Sequence, residues 1–414
     1  MKIIIKNIAE LVQTERDPKE WIAGADMQNL NTIEDAFVEI ENGLITGFGS
    51  MHDWTGIDNW SNTKIIDAEG GSVFPTYCDS HTHLVFAESR EEEFVDRIKG
   101  LSYQEIASKG GGILNSAEKL RHTTEDKLFE DALARLNKLV KMGTGAIEIK
   151  SGYGLTLESE LKILKVIRRL KENSNITIKS TFLGAHAIPK EFKDNKDGYM
   201  NLIINEILPK VAQEDLADYV DIFCEKGYFN VEDTTRLLDA ANKFGIKSKT
   251  HVNQFNAMGG VKASVDLGAL SVDHLEQMNE EDFDILLSSS CMPTILPSCS
   301  FFLGIPYSPA RKMIDKGLPV ALATDYNPGS SPSGNMNLIA SLGCIKLKMT
   351  PEEVINATTI NSAYAMGTQK ELGSIAIGKK ANLFITKPIP SYAYLAYSFG
   401  ENLIEQVLIN GEIQ

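Results

Sequence analysis

The sequence predicts an α/β fold, a (β/α)8 TIM-like barrel with a small β-sandwich domain built from both termini. Three observations predict it. Through the middle of the chain, eight apolar strand-like segments alternate with segments of helical spacing, a pattern that implies parallel strands with right-handed crossovers. Both ends of the chain contain only short strand-like segments. The 414 residues are also enough for a barrel of about 250 residues with a smaller companion domain.

The two ends of the chain have the same character. Near the start, two apolar runs flank Asn42-Gly43, a residue pair typical of a two-residue β-hairpin turn. The final segment again has short apolar runs between Gly and Asn turns. We therefore predict a composite β-sandwich domain from residues 1–72 and 370–414, around a barrel formed by residues 73–369. Two unrelated capping hairpins are the alternative interpretation.

Eight segments between these ends have the length and apolar character of barrel strands. In chain order they are the run that leads into His81, then residues 144–150, 176–186, 219–225, 246–254, 270–276, 291–297 and 318–325. Apolar residues at helical spacing lie between them, as in residues 126–142, 157–172, 201–213 and 231–244. Each strand is thus expected to be followed by at least one helix.

The composition excludes several classes of function. The net charge is −15, which argues against a nucleic-acid backbone or an anionic membrane as partner. No apolar run is long enough to span a membrane, and Lys6 and Glu10 interrupt the apolar start of the chain, so no secretory signal is expected. The five scattered cysteines are typical of free thiols in a reducing compartment. We expect a cytoplasmic protein.

Five of the seven histidines fall at the ends of predicted strands. In strand order these are His81 and His83, His186, His251 and His274, and an aspartate, Asp325, ends the eighth strand. The carboxyl ends of parallel barrel strands open onto one face, where active sites of this architecture form. One buried histidine is usually a packed residue, but five at equivalent positions favour a functional site.

The spacing of His81 and His83 predicts a metal site. Residues two apart on a strand point to the same side, so both imidazoles can reach one ion. Imidazole nitrogens combined with a carboxylate oxygen suit Zn²⁺ or Fe²⁺ better than Mg²⁺ or Ca²⁺. The pair alone is common by chance, but its combination with His251 and Asp325 at other strand ends is specific.

Four segments, PTYCDSHTHL, THVNQ, VDHLE and ATDYNPGS, resemble the amidohydrolase superfamily of metal-dependent barrel hydrolases. HTHLVFAESREEEF, EIKSGYGL, TFLGAHAIP and TDYNPGSSPS further resemble the members that act in histidine degradation. The similarity covers nearly the whole chain. It implies hydrolysis of the cyclic amide C–N bond of 4-imidazolone-5-propanoate to N-formimidoyl-L-glutamate, with metal-activated water as the nucleophile.

The resemblance also implies which residues hold the metal and move protons. His81, His83, His251 and Asp325 would bind one Zn²⁺ or Fe²⁺/Fe³⁺ ion per chain. Asp325 would act as the proton shuttle, and His274 would hydrogen-bond the oxyanion or the attacking water. A small-molecule substrate and a homodimer are implied as well. The residues themselves leave the choice of zinc or iron open.

A set of substrate-binding residues follows from the same resemblance. These are Arg90, Tyr103, Tyr153, His186, Gln254, Asn327, Gly329 and Ser330. Arg90 would pair with the propionate, although an arginine beside three glutamates is by default a solvated charge. Two other residues also have a purely structural alternative. Tyr153 could simply fill a glycine turn, and Asn327 could serve only to form a turn.

One position departs from the cytosine deaminase branch, which has a glutamate three residues after the strand-five histidine. Here that residue is Gln254, whose amide cannot accept and return a proton. This difference favours ring hydrolysis over deamination. The alternatives are a mononuclear deaminase or other cyclic amidohydrolase, a silent binding protein, and a binuclear hydrolase bridged by carboxylated Lys150. The strand count disfavours the last, because Lys150 ends the second predicted strand and such a lysine belongs on the fourth.

Overall fold

Two eight-stranded sheets organise the chain in the computed structural model, which describes residues 2–57, 60–101, 105 and 111–414. In chain order, the strands are β1 Lys2–Val12, β2 Thr32–Glu41, β3 Leu44–Ser50, β4 Thr63–Asp67, β5 Val73–Pro75, β6 Tyr77–Thr82, β7 Thr144–Lys150, β8 Thr177–Ala185, β9 Tyr219–Cys224, β10 Lys247–Val252, β11 Ser271–His274, β12 Met292–Ile295, β13 Ala321–Leu322, β14 Leu383–Thr386, β15 Ile404–Ile409 and β16 Glu412–Ile413.

Strands from both ends of the chain form one mixed sheet, the terminal sheet. Its order is β16-β15-β14-β5-β1-β2-β3, with β4 paired to β1. Asn42 and Gly43 join β2 to β3, and their φ angles of 51° and 81° are the left-handed values that such a hairpin turn requires. The small β-domain built from both termini is therefore confirmed as a mixed sheet. The boundaries at residues 72 and 370 stay predictions.

Aliphatic side chains form the core of the terminal sheet. They include Ile3, Ile5, Ile8, Leu11, Val38, Ile40, Ile45, Val73, Leu383, Ile385 and Leu408. Alternating residues of a strand point to opposite faces, so one face of β1 and β2 can bury apolar groups while the other carries polar ones. Burial of these aliphatic groups holds the two ends of the chain together.

The second sheet is the parallel barrel, confirmed with eight strands in chain order from β6 to β13. Hydrogen bonds between the first and last strand regions close it: the amide of Asp325 donates to the His81 carbonyl over 3.0 Å, and that of His83 donates to the Tyr326 carbonyl over 2.9 Å. The predicted strand 144–150 matches β7 at both ends. The predicted strand 318–325 is regular only at β13, since the chain turns toward β6 beyond it.

Helices follow the barrel strands. Those described are α1 Glu91–Ile98, α2 Ile113–His122, α3 Glu125–Val140, α4 Leu157–Glu172, α5 Lys196–Leu202, α6 Leu208–Gln213, α7 Val231–Lys243, α8 Gly260–Asp266, α9 Glu280–Leu287, α10 Pro297–Leu303, α11 Ala310–Asp315, α12 Met336–Ile345, α13 Pro351–Thr358, α14 Ile360–Ala365 and α15 Tyr394–Tyr397. The predicted segment 157–172 matches α4. Within the described ranges, no helix is both long and apolar enough to cross a membrane.

The segment expected as one helix over residues 201–213 is interrupted. A π-helical turn, Ile203–Ile207, lies between α5 and α6. Pro209 occupies the first turn of α6. Because proline lacks an amide hydrogen and its ring crowds the preceding turn, the regular i to i−4 pattern cannot run through it.

Candidate active site

The strand ends bring the predicted histidines together. His81 lies near the end of β6, and His83 directly follows this strand. His186 follows β8, and His251 and His274 lie on β10 and β11. The ring centroids of His81 and His251 are 4.4 Å apart, and those of His251 and His274 are 5.2 Å apart. All but His186 are buried, as is Asp325. The convergence expected from the sequence is present.

Two overlapping groups of these side chains have donor atoms within 4.8 Å of one another. One is His81, His83 and Asp325, and the other is His81, His251 and His274. The Nε2 atoms of His81 and His83 both lie 3.6 Å from Asp325 Oδ1. Together the groups contain every predicted metal ligand and add His274 as a further donor close to them.

The donor atoms are suited to a metal ion. Among the described residues, the buried Nε2 atoms of His81 and His251 have no hydrogen-bond partner. A buried polar atom without a partner is costly, and a metal ion is one way to satisfy it. Burial, with the nearby positive groups, lowers the pKa of His81 and of His83 well below the usual value. Both imidazoles are therefore neutral, the form that ligates metals.

Two aspartates that the sequence reasoning missed contact two of the predicted ligands. Asp273 Oδ2 lies 2.6 Å from His81 Nδ1, and Asp221 Oδ2 lies 2.9 Å from His251 Nδ1. The hydrogen bond to Asp273 fixes the tautomer of His81 that leaves Nε2 as a donor, and Asp221 contacts His251 Nδ1 at ion-pair distance without hydrogen-bond geometry, which favours the same tautomer. The available signal was an aspartate inside each of two predicted strands, 219–225 and 270–276, where a buried charge needs a specific partner.

His274 is held in an unusual conformation beside the ligands. Its φ of 86° is in the left-handed region, and its carbonyl accepts a 2.7 Å hydrogen bond from Ser308 Oγ. Its Nδ1 is 3.5 Å from Glu276 Oε1. Although burial opposes it, the carboxylates of Glu276 and Asp325 raise the pKa of His274 above the usual value. His274 can therefore carry a proton at higher pH than an ordinary imidazole.

Asp325 follows β13 and also has a left-handed φ, of 54°. Burial raises its pKa, while the imidazoles of His274 and His251 lower it, and the net direction is upward. A carboxyl group with a raised pKa takes up and gives back a proton more readily near neutral pH. Asp325 therefore lies among the predicted ligands as a buried carboxyl group next to the imidazoles of His251 and His274.

A cavity of about 680 Å³ opens above this cluster. Its walls include seven of the eight predicted substrate-binding residues: Arg90, Tyr153, His186, Gln254, Asn327, Gly329 and Ser330. The eighth, Tyr103, lies outside the described residues. A volume of this size is in the range of small-molecule sites.

Arg90 reaches the cavity and is not a solvated charge. Its Nε donates to Glu93 Oε2 over 2.9 Å. A Cβ atom added to Gly329 would lie 2.2 Å from Arg90 Nη1, so only glycine allows the guanidinium to come this close to the loop after β13. Glu93, which the sequence reasoning did not single out, holds Arg90 in this position.

The SGYG loop after β7 is shaped by a buried glutamate that was also missed. Glu160 of α4 accepts hydrogen bonds from the amides of Gly152, Gly154 and Leu155, over 3.1, 2.8 and 2.8 Å. Gly152 has a φ of 101°, and a Cβ there would approach His186 Nδ1 to 2.8 Å. The glycines thus place Tyr153 on the cavity wall.

His186 packs between the SGYG loop and the predicted metal ligands His83 and His251. Its ring stacks on that of His83 with centroids 5.2 Å apart, and its Nδ1 donates to the Gly152 carbonyl over 3.1 Å. Burial, together with the His251 imidazole, lowers the pKa of His186 to about 3. His186 is therefore a neutral imidazole, and its Nε2 is left as a hydrogen-bond acceptor for a ligand.

The loop after β13 is organised by Asn327. Its Oδ1 accepts the amides of Gly329 and Ser330, each over 2.8 Å, and its Nδ2 donates to the Asp325 carbonyl over 2.6 Å. The side chain of Asn327 thus stabilises the turn, as the alternative to a substrate-binding role expected, and it also borders the cavity. Gln254 also borders the cavity, and its Nε2 donates to Cys299 Sγ over 3.4 Å.

Lys150 does not face the cavity as a bridging ligand would. It ends β7, the second barrel strand, and its Nζ lies 2.6 Å from Glu148 Oε1 and 2.9 Å from Asp221 Oδ2. These carboxylates raise its pKa although burial opposes them. Carboxylation requires the neutral amine, so this ammonium is poorly suited to the binuclear arrangement.

Comparison with known proteins gives a consistent result. A model of the amidohydrolase family matches residues 72–413. The imidazolonepropionase of Christiangramia forsetii is 58% identical over 413 residues, and that of Flavobacterium johnsoniae is 57% identical over 413 residues, each alignment covering 100% of both chains. Among solved structures, the guanine deaminase of E. coli superposes with a TM-score of 0.75 at 13% identity, covering 100% of this chain and 98% of its own, and shows similarity of fold alone.

Proposed function

This chain belongs to the amidohydrolase family, and from that membership we propose that it opens the ring of 4-imidazolone-5-propanoate by metal-dependent hydrolysis. The observation that carries the proposal is the full-length identity of 58% and 57% to two relatives named imidazolonepropionase. The cavity supports it, because it combines metal donors with a guanidinium group for the propionate. The product is N-formimidoyl-L-glutamate.

We propose His81, His83, His251 and Asp325 as the holders of one zinc or iron ion per chain. Their donor set of three imidazoles and one carboxylate suits either metal. When bound, the ion lowers the pKa of water at the site, so that hydroxide is available near neutral pH. The carboxylates of Asp221 and Asp273 support this assignment, since each contacts the Nδ1 atom of one imidazole and leaves its Nε2 atom to bind the metal.

Asp325 is proposed to move the proton. The water oxygen bonds to the ring carbonyl carbon, the bond from that carbon to the ring nitrogen breaks, and Asp325 transfers the proton of the water to this nitrogen. The upward shift in the pKa of Asp325 supports this role. His274, whose pKa is also raised, donates a hydrogen bond to the developing oxyanion. Gln254 contacts the ring by hydrogen bonding and takes no proton.

The remaining wall of the cavity is proposed to orient the substrate. Arg90 pairs with the propionate, because a guanidinium binds a carboxylate through two parallel hydrogen bonds. Tyr153 and His186 contact the ring and propionate, and Asn327, Gly329 and Ser330 supply hydrogen bonds from the loop after β13. Tyr103 remains in the proposed set on the resemblance alone. A cytoplasmic location and a homodimer are likewise proposals.

The test is an assay on purified protein whose metal content has been measured. We expect conversion of 4-imidazolone-5-propanoate to N-formimidoyl-L-glutamate, one metal ion per chain, and loss of turnover after chelation that zinc or iron restores. Cytosine and guanine serve as control substrates. Ammonia release from either of them, without hydrolysis of the imidazolone, would replace the proposal with a deaminase. Two metal ions per active chain would favour the binuclear alternative.

A further inference from the structure

A group of buried charges lies beneath the candidate metal ligands, and none of its members lines the cavity. It consists of two lysines and three acidic residues: Lys150, Lys249, Glu148, Asp221 and Asp273. All five have 0% exposed surface. Ionised side chains are rarely buried so completely unless each has a specific partner, so the arrangement of the partners indicates what the group does.

Lys150 contacts the two carboxylate oxygens that orient the imidazoles. Its Nζ lies 2.9 Å from Asp221 Oδ2, the same oxygen that lies 2.9 Å from His251 Nδ1. The same Nζ lies 3.5 Å from Asp273 Oδ2, which lies 2.6 Å from His81 Nδ1. One ammonium group therefore connects, through two aspartates, to two separate metal ligands on β6 and β10.

Each aspartate is also held through its other carboxylate oxygen, Oδ1, so the contact with Lys150 acts on Oδ2 alone. Asp221 Oδ1 accepts the backbone amides of His251, over 3.1 Å, and of Ile222, over 2.6 Å. Asp273 Oδ1 accepts the Ser271 hydroxyl over 2.6 Å. Without the ammonium, the two buried carboxylates would lose the countercharge that they share, and their repulsion would shift the Oδ2 atoms that contact both rings.

We propose that Lys150 is a positioning residue for the metal site, which holds Asp221 and Asp273 so that His251 and His81 present Nε2 to one point. This inference rests on the proposed metal ligands. It concerns affinity for the metal and requires no contact between Lys150 and the substrate. Removal of a group that supports metal-bound histidines typically costs 10- to 100-fold in metal affinity.

Lys249 provides a matched control. It is a lysine with the same complete burial, and it pairs with Glu148 and donates to the Ser80 carbonyl over 2.9 Å. Among the described residues, Glu148 and Ser80 lie within ion-pair or hydrogen-bond distance of its Nζ, and Asp221 and Asp273 do not. Lys150→Met and Lys249→Met therefore remove the same charge from the same interior, but only the first removes the contact with the oxygens that orient the imidazoles.

The experiment measures zinc binding to metal-free full-length protein by competition with a chromophoric chelator, without substrate. We expect Lys150→Met to weaken zinc binding by about 10- to 100-fold, and Lys249→Met to weaken it by much less. The visible spectrum of the cobalt-loaded protein should change for Lys150→Met alone, since it reports the geometry of the ligands. Circular dichroism and thermal unfolding establish that the proteins compared are folded.

Should Lys150→Met fail to fold, Asp273→Asn is the second variant. It keeps the shape of the side chain but removes the negative charge through which Lys150 contacts His81. The same loss of zinc affinity is expected. Zinc binding unchanged in the folded Lys150→Met protein, or an equal loss in both lysine variants, would overturn the inference. Failure of the proposed function looks different: the unsubstituted protein would bind zinc, with the expected effect of Lys150→Met, but would not hydrolyse the imidazolone.

Discussion

The two eight-stranded sheets bury very different side chains. The terminal sheet encloses aliphatic groups such as Ile5, Val38 and Leu408. The barrel interior next to the candidate site encloses paired charges such as Lys150 and Asp221. Aliphatic burial is non-directional and tolerates repacking, whereas each buried charge depends on a particular partner at a particular distance. We infer that the terminal sheet mainly stabilises the fold, and that the charges in the barrel interior mainly fix the positions of the side chains in the candidate site.

The largest expected effect is on turnover, at the barrel end of this comparison. Asp325→Asn should lower kcat by about 10²- to 10⁴-fold, because the amide cannot carry the proton to the leaving nitrogen. Gln254→Ala should cost less than tenfold, since its amide only hydrogen-bonds. Steady-state kinetics on proteins of known metal content would measure both effects. If Gln254→Ala were the more damaging change, the assignment of the proton shuttle to Asp325 would be wrong.

A second prediction concerns the terminal sheet. Ile5 is fully buried on β1, so Ile5→Ala should lower the free energy of unfolding by about 2–5 kcal/mol and leave kcat unchanged. Ile377→Ala, at a side chain that is 69% exposed, is the matched control and should be nearly neutral. Denaturant unfolding and kinetics on the same samples would test it. A fall in kcat without a fall in stability would contradict the division between the two sheets.

The smallest of the three effects is on substrate binding. Arg90→Ala should raise KM for 4-imidazolone-5-propanoate by about 10- to 100-fold, as expected for one lost charge-assisted contact. Metal content should not change. Arg121→Ala, which removes a 2.8 Å pair with Glu191 that is not on the cavity wall, is the control and should leave KM as it was. An unaltered KM in Arg90→Ala would exclude Arg90 from propionate binding.

The barrel and the grouping of its histidines were predictable because they follow from local patterns. The strand at residues 144–150 follows Gly143, precedes Ser151-Gly152 and carries the apolar residues Ala146, Ile147 and Ile149, and the structure matches it at both ends. The histidines fall at equivalent strand ends, and topology alone then brings them together. The order of the strands in the sheet follows from the order of the chain.

The supporting contacts were not predictable in the same way. Asp273 was visible only as a neighbour of His274, and nothing local shows that its partner is His81, 192 positions away. Glu160 and Glu93 looked like ordinary charges on helices, yet Glu160 accepts backbone amides of the SGYG loop and Glu93 accepts the amide of Gly112. Contacts across a barrel depend on which inward-facing residues of different strands lie at the same level along the barrel axis. A single sequence does not show that level.

The seam of the barrel has one more consequence. Its closing hydrogen bonds involve His81, His83 and Asp325 themselves, so proposed ligands stand on both sides of the join between the first and last strands. An ion bound there would link the first and last strands of the barrel. Stripping it should then raise amide hydrogen exchange along β6 and residues 323–326 before the rest of the barrel loosens, so that metal loss registers as local opening of the cylinder.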